Sequence, residues 1–321
     1  MYTRRHFGKL ALAALPLAGA SAKVSSVIRG VHIGVATYSY NTLPRQGLLD
    51  TVVHSMVDCG LGDCLLNPPA TEPPDLSEKA RVVRGPGGAS GRAGGGGRAP
   101  LSLEQAAAAE ALHHWHLTVP LDYYAGIRRK FSDAGLEINT YEPSLAAFTT
   151  DEDLNRACEV TKALGAKIVA DVFTKPVAKR AAPIVEKHGL KLALQGRPNM
   201  NTTDPDVMAK PADFVEAMGY SKNFGINLDI GDATGGGWDA LGFIGEMHSR
   251  VFSLNLKDKT KANVSMPWGQ GESRIKEILQ LIRDKKWRIR CYVDCDYATA
   301  DSASRVADVK RCFDFAKAAL A

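Results

Sequence analysis

The chain lacks the features that would assign it at once to several common classes. Its 321 residues contain only six cysteines, too few for a disulfide scaffold and without the spacing of a zinc centre. We expect these cysteines to be buried packing residues. No apolar run after the first 22 residues approaches the roughly 20 residues that cross a bilayer. We therefore expect no membrane span in the mature protein.

Acidic residues are absent from the first 22 positions, which carry Arg4, Arg5 and Lys9. Without these three cations the formal net charge of +5 falls to +2. The rest of the chain therefore has no excess of basic residues that would indicate a nucleic-acid-binding face. We expect no nucleic-acid partner.

The same 22 residues resemble an export signal. The segment TRRHFGK is followed by an apolar run from Leu10 to Leu17 and by Ala20-Ser21-Ala22. A charged start, a short apolar run and small residues at a cleavage site are typical of secretory peptides, and paired arginines at this spacing indicate the twin-arginine route. We expect residues 1–22 to be removed and the protein to be periplasmic or otherwise exported. The alternatives are a membrane anchor or a chance basic terminus.

Patterns typical of strands and helices alternate through residues 23–321. Strands are predicted at 31–38, 64–66, 137–141 and 167–172, and at the start of four later segments, KLALQGRPNM, INLDIGDATGGG, FSLNLKDKT and CYVDCDYA. Eight strand–helix units in series predict a single α/β domain, a (β/α)8 TIM barrel. An open doubly wound sheet is the alternative.

One segment, at about 68–100, interrupts the repeat. It contains PPATEPP and GPGGASGRAGGGG, and so much Gly and Pro predicts a flexible insertion. Because it follows the second predicted strand, a lid or a partner-binding loop is the alternative.

Polar side chains end the four later strands. Gln195, Asp229, Asn255 and Asp294 each have apolar neighbours on both sides. Alternation along a strand turns these four away from the apolar face. Since parallel barrels build their sites at the carboxyl ends of strands, the four should meet at one rim.

Short motifs in the second half resemble a known family. The LDIG at Leu228 to Gly231, the LKD at Leu256 to Asp258, the PWGQG at Pro267 to Gly271 and the C-terminal VADVKRCFDFAKAAL are similar to the xylose isomerase-like TIM barrel family. The likeness is greatest to its exported members, described broadly as sugar phosphate isomerases and epimerases. The resemblance implies one divalent cation, held by carboxylates and a His, and a proton moved next to a sugar carbonyl.

The family pattern is only partly present. Asp229 matches the family's aspartate, whereas Asn255 stands where a His is usual and Asp294 where a Glu is usual. Gln195 replaces a His or Glu, and Asp232 replaces the His that commonly follows LDIG. The resemblance thus implies an all-oxygen metal set of Gln195, Asp229, Asn255 and Asp294. Such a set favours Mn²⁺ or Mg²⁺ over Zn²⁺, at reduced affinity because amides are neutral.

Amides cannot act as bases near neutral pH, so proton transfer is predicted to rest on Asp294 and Asp232, with Asp296 and Glu142 as alternatives. Side chains predicted to contact the substrate are Arg197, Lys257, Trp268, Glu142 and Tyr38. Trp268 is alternatively a loop anchor that packs the rim. Tyr38 alternatively caps the barrel core.

Three functions follow from these residues. The leading one is a metal-assisted isomerase or epimerase acting on a sugar or keto-sugar. A keto-glycoside lyase would use the same removal of a proton α to a carbonyl. A non-catalytic carbohydrate-binding barrel would explain the missing His. Each takes a small-molecule carbohydrate, and the oligomeric state stays open, with a homo-oligomer among the options.

Overall fold

The computed structural model describes residues 23–80, 102–145, 149–196, 202–297 and 302–321. The predicted signal peptide and the Gly-rich part of the predicted insertion lie outside these ranges. The strands of the described chain are β1 (Val27–Ile28), β2 (Val31–Ala36), β3 (Asp63–Leu66), β4 (Glu137–Tyr141), β5 (Ile168–Val172), β6 (Lys191–Gln195), β7 (Phe224–Asp229), β8 (Val251–Leu256) and β9 (Arg290–Val293).

Strands β2 to β9 form a closed barrel. Each pairs in parallel with the next strand along the chain, and β9 pairs in parallel with β2, where His32 lies opposite Arg290. The short β1 joins β2 through a hairpin at Arg29 and Gly30, which both have positive φ, as the favoured two-residue hairpin turn requires. The predicted (β/α)8 TIM barrel is confirmed, and the open sheet is excluded.

Helices surround the barrel. Those of the described chain are α1 (Leu48–Cys59), α2 (Pro74–Ala80), α3 (Leu103–Thr118), α4 (Leu121–Asp133), α5 (Asp151–Ala163), α6 (Lys175–His188), α7 (Pro211–Met218), α8 (Ile230–Gly235), α9 (Ala240–Met247), α10 (Ile275–Lys285) and α11 (Ser302–Leu320). Local sequence sets several ends: Ser102 and Thr150 begin α3 and α5 with capping boxes, and Gly60 and Gly189 end α1 and α6 in the left-handed conformation. None of the described helices is both long and apolar enough to cross a bilayer.

The main core lies between the strands and the helices. The four polar residues that end strands, Gln195, Asp229, Asn255 and Asp294, are the strand tips. The main core contains their apolar neighbours, among them Leu194, Leu228 and Leu254. The barrel interior holds smaller apolar clusters, one of Ala36, Leu65 and Tyr292 and one of Ile168, Ala170 and Ala193. The tips therefore point into the barrel mouth, as their alternation predicts.

The first part of the segment predicted as a flexible insertion is folded. Residues 68–80 are not loose: Pro68–Ala70 form a 3₁₀ turn, and Pro74–Ala80 form α2, which packs against α3. Pro at the first turn of a helix costs nothing, because its missing N–H has no partner there in any case. The prediction of buried cysteines is confirmed, since all six are buried and none forms a disulfide.

Candidate functional site

A polar pocket opens at the carboxyl ends of the barrel strands. It encloses about 690 Å³ of empty space, the open solvent at its mouth included. Eight of the ten predicted site residues line it: Tyr38, Glu142, Gln195, Asp229, Asp232, Asn255, Lys257 and Asp294. The sequence did not predict the other lining residues, which are Ala36, Val172, Gly196, Phe214, Asn227 and Leu228.

Two predicted substrate contacts are not found in this pocket. Trp268 does not line it; the ring is buried in the core and packs edge-on against Phe315 of α11, with the ring centroids 5.9 Å apart. This packing is what the alternative interpretation of the sequence, a loop anchor, expects. Arg197 lies outside the described residues.

The centre of the site is the ammonium group of Lys257. Its Nζ lies 2.9 Å from Asp229 Oδ2, 3.2 Å from Asp296 Oδ2 and 3.4 Å from Asp294 Oδ2. The Lys257 residue is only 5% exposed. One buried cation thus joins the tip of β7 to the two carboxylates that follow β9.

This arrangement shifts the pKa values of Lys257, Asp294 and Asp229. Burial alone would lower the pKa of Lys257, but Asp229, Asp294 and Asp296 hold the pKa well above its ordinary value. Burial raises the pKa of Asp294 to about 7, with Lys257 opposing the shift and the nearby carboxylates adding to it. Burial likewise raises the pKa of Asp229 to about 6. Lys257 therefore stays charged at neutral pH, while Asp294 exchanges a proton there.

Asp294 also has an oxygen available. Its Oδ1 is buried and accepts no hydrogen bond from the described residues. A buried acceptor without a donor is costly, so this atom is set to receive a proton or a hydroxyl group from a bound molecule. Asp294 lines the pocket, and its other oxygen, Oδ2, lies 3.4 Å from the Lys257 ammonium.

Asp232, the other predicted base, is committed elsewhere. Its Oδ1 accepts a hydrogen bond of 2.6 Å from Nζ of Lys259, a fully buried cation. Lys259 also donates to Asn263 Oδ1 at 3.0 Å. This ion pair fixes one wall of the pocket. Asp294 is thus the better placed of the two predicted bases.

The neutral tips belong to hydrogen-bond pairs. Gln195 Nε2 donates to Glu142 Oε2 at 3.1 Å. Asn255 Oδ1 accepts from Asn227 Nδ2 at 3.2 Å, and Ser253 Oγ donates to Asn227 Oδ1 at 2.7 Å. Asn227 was missed in the sequence, although a signal was there: it precedes Asp229 by two residues and so shares its face of the strand.

The four predicted metal ligands do not fit a divalent cation in this arrangement. Both oxygens of Asp229 are engaged, Oδ1 by the backbone N–H of Asp232 at 2.8 Å and Oδ2 by Lys257. The oxygen of Asn255 is engaged by Asn227. Among the described residues, no group of three or more His, Cys, Asp or Glu side chains can hold a metal ion.

Charge repulsion also disfavours a divalent cation at this position. A dication about 4 Å from an ammonium group is repelled by roughly 8 kcal/mol at an effective dielectric constant of about 20. The ammonium of Lys257 already lies within 3.4 Å of both predicted carboxylate ligands. A cation added between those carboxylates would have to displace it.

The LDIG, LKD and PWGQG motifs position Lys257 and the loop after it. A Cβ on Gly231 of the LDIG segment would lie 2.9 Å from Lys257 Cβ, so this glycine lets the lysine stem pass. Asp258 accepts hydrogen bonds from the backbone N–H groups of Gly269, Gly271 and Ser273. The LKD and PWGQG segments are therefore one unit in space.

The sequence matches no protein-family model and no curated protein. Solved structures share its fold. An L-ribulose 3-epimerase is 13% identical over 90% of this chain and 94% of its own, with a TM-score of 0.59. A D-allulose 3-epimerase from Methylomonas sp., in complex with D-allulose, is 10% identical over 93% and 97%, with a TM-score of 0.54.

A xylose isomerase-like TIM barrel protein from Mycobacterium smegmatis, in complex with magnesium, is 11% identical over 91% of this chain and 98% of its own, with a TM-score of 0.53. Likeness at these identities is a likeness of fold, and fold alone does not fix an activity. The chain has the (β/α)8 fold of the xylose isomerase-like TIM barrel proteins.

Proposed function

We propose that the protein is a sugar-modifying enzyme of the isomerase or epimerase type, which moves a proton at the carbon next to the carbonyl of a sugar or keto-sugar. The observation that carries the proposal is Asp294, a pocket carboxylate beside the Lys257 ammonium, with a buried oxygen that accepts no hydrogen bond from the described part of the chain. A base and a fixed positive charge side by side are what this chemistry requires.

The two groups have complementary roles. A proton α to a carbonyl is too weakly acidic to remove unless the developing oxyanion is stabilised. In the proposed reaction Asp294 Oδ1 takes this proton, and the charge of Lys257 stabilises the oxygen that becomes negative. Return of a proton to the same carbon or its neighbour completes epimerisation or isomerisation.

The rest of the pocket suits a hydroxylated ligand. Glu142, Gln195 and Asn255 present oxygen and amide groups at the strand ends, and Tyr38 adds an aromatic ring. Sugars are bound by such polar groups, with an apolar wall for the carbon skeleton. Here Phe214 and Val172 supply that wall. The solved epimerases that share the fold support the proposal by analogy.

Deuterium exchange tests the proposal directly. The protein is incubated in D₂O with a panel of unphosphorylated and phosphorylated keto-sugars, and NMR follows label at the carbon next to the carbonyl. We expect incorporation with at least one sugar, and a loss of roughly 10²–10⁴-fold in the Asp294→Asn variant, since that is the usual contribution of a general base. Asp314→Asn, on the surface of α11, is the matched control and should exchange as the wild type does.

The remaining outcomes decide against the proposal. An unsaturated elimination product would show a keto-glycoside lyase instead. Sugar binding by calorimetry without any incorporated label would show a carbohydrate-binding barrel. Either result would leave the pocket assignment intact but overturn the isomerase or epimerase reaction.

A further inference from the structure

The position of Lys257 points to a function beyond substrate contact. Three carboxylates from two different strand ends converge on its Nζ, with the closest oxygen of each between 2.9 and 3.4 Å away. Convergent carboxylates at a barrel rim repel one another unless a positive charge lies between them. We infer that the Lys257 ammonium holds the place that a divalent cation would take in this pocket, so that the site works without a bound metal.

The origin of the three carboxylates supports this inference. Asp229 ends β7, while Asp294 and Asp296 follow β9, and Lys257 follows β8, the strand that lies between them in the barrel. The lysine thus reaches from the middle strand to both neighbours. A metal ion bridging the same two strand ends would need the same space.

The hydrogen bonds around Lys257 are consistent with a monovalent cation at this position. Asn255, two residues before Lys257, is neutral, and its oxygen accepts a hydrogen bond from Asn227. Asp229 Oδ1 caps α8 through the N–H of Asp232. Each of these two oxygens therefore already has a hydrogen-bond donor within the protein.

An ammonium group and a dication act differently on a substrate. Lys257 supplies one compact positive charge, which attracts a carbonyl or hydroxyl oxygen without the coordination bonds that a dication forms. The substrate class named above, an oxygen-rich sugar carbonyl, rests on the proposed function. The absence of a metal requirement rests on the Lys257 geometry alone.

Metal titration tests the inference without any sugar. The purified wild type is stripped with EDTA and titrated with Mn²⁺, followed by calorimetry and by the electron paramagnetic resonance of free Mn²⁺. We expect no saturable site. The Lys257→Met variant removes the charge at nearly constant volume and leaves three facing carboxylates. It should bind one Mn²⁺ per chain, about tenfold or more tighter than the wild type, because the competing cation is gone.

Two further variants sharpen the comparison. Lys257→Arg keeps the positive charge and should not bind Mn²⁺. Lys175→Met is the matched control, since Lys175 joins Asp213 and Glu216 at 2.9 and 2.8 Å outside the pocket. It removes a similar lysine from carboxylates and should also gain no site. A gain of Mn²⁺ binding in both methionine variants would overturn the inference.

If Lys257→Met does not fold, Mn²⁺ binding by the wild type still tests the inference. Saturable uptake of one Mn²⁺ that disappears in Asp294→Asn would overturn the inference. The two proposals fail separately. Deuterium exchange that EDTA abolishes would support the proposed function and overturn the metal-free site. A wild type that neither binds Mn²⁺ nor exchanges label would overturn the proposed function and leave the inference standing.

Discussion

Asp294 titrates in the range where an enzyme near neutral pH needs a base. Its pKa is raised to about 7, and only the ionised carboxylate can take a proton from carbon. We therefore expect the rate of deuterium exchange to rise with pH and to reach half its maximum near pH 7. The measurement is the exchange rate between about pH 5 and pH 9. A rate that falls as pH rises through this range would contradict Asp294 as the base.

The same shift predicts how folding stability depends on pH. The pKa of Asp294 is about 7 in the folded protein and 3.8 for the ordinary carboxyl group. Between these values the folded state binds more protons than the unfolded state, so the contribution of Asp294 to stability is lost as pH rises. The Asn variant lacks this loss, and its stability relative to the wild type should increase from about pH 4 to pH 7.

Urea unfolding at several pH values measures this difference. Asp314→Asn is a control of opposite sign, because Lys317 and Lys310 lower the pKa of Asp314. A lowered pKa contributes stability at high pH that is lost on acidification, so the Asp314 variant should lose stability relative to the wild type as pH rises. If the stabilities of both variants, relative to the wild type, changed in the same direction with pH, the raised pKa of Asp294 would be contradicted.

For single residues, the sequence predicts where a side chain lies better than which groups it contacts. Alternation along four strands places Gln195, Asp229, Asn255 and Asp294 at the rim, because side-chain direction in a strand is a local property. The destination of Lys257 is not local. Its stem has four rotatable bonds, and only the folded barrel brings Asp229, Asp294 and Asp296 around its end.

The short helix α8 and the end of β8 are packed too closely for any side chain on Gly231. A Cβ there would lie 2.9 Å from both Lys257 Cβ and Lys257 O. We expect Gly231→Ala to push Lys257 away from Asp294 and to reduce deuterium exchange by about tenfold or more, since small displacements of catalytic groups are costly. Circular dichroism and thermal unfolding would establish that the variant is folded.

Gly245 provides the matched control for this substitution. It lies within α9, and a Cβ there meets no atom within 4 Å. Gly245→Ala should leave exchange unchanged and raise stability by about 0.4–1 kcal/mol, because alanine loses less chain entropy in a helix. Equal exchange rates in the two alanine variants would show that Gly231 does not position Lys257.

Short elements escaped prediction for physical reasons. The helix α8 has six residues and begins directly after β7, within a Gly-rich segment that indicates a loop. It forms because Asp229 caps it and Trp238 follows in the core. The helix α2 lies in a Pro-rich segment and is held by packing against α3. Tertiary contacts decide such cases, and composition does not record them.

The whole barrel was predictable because its repeat is local while its closure follows a general rule. Each strand–helix unit has its own apolar pattern and turn residues, and right-handed crossovers then place successive strands side by side. The pairing of β9 with β2 joins residues such as His32 and Arg290, which are far apart in the chain. The number of units predicted that closure, whereas the register required the folded structure.

The burial of the cysteines bears on whether the whole molecule tolerates the predicted export. A twin-arginine substrate folds before it crosses the membrane, and all six cysteines of this fold are buried and unpaired. Burial raises the pKa of Cys64 and Cys291, which keeps these two thiols protonated. The hydrogen bond with Cys312 lowers the pKa of Cys295, so the protection of that thiol rests on its burial. Thiols buried before export should therefore survive in an oxidising compartment.

We expect protein isolated from the exported fraction to show no rapid reaction with a thiol reagent in its native state and six thiols after unfolding under denaturant. Mass spectrometry should find no disulfide. Replacing both Arg4 and Arg5 by Lys should retain the protein in the cytoplasm, with its thiol content unchanged, because the signal would be lost while the fold is kept. Disulfides in the exported protein alone would mean that the chain crosses the membrane unfolded and is oxidised before its core closes.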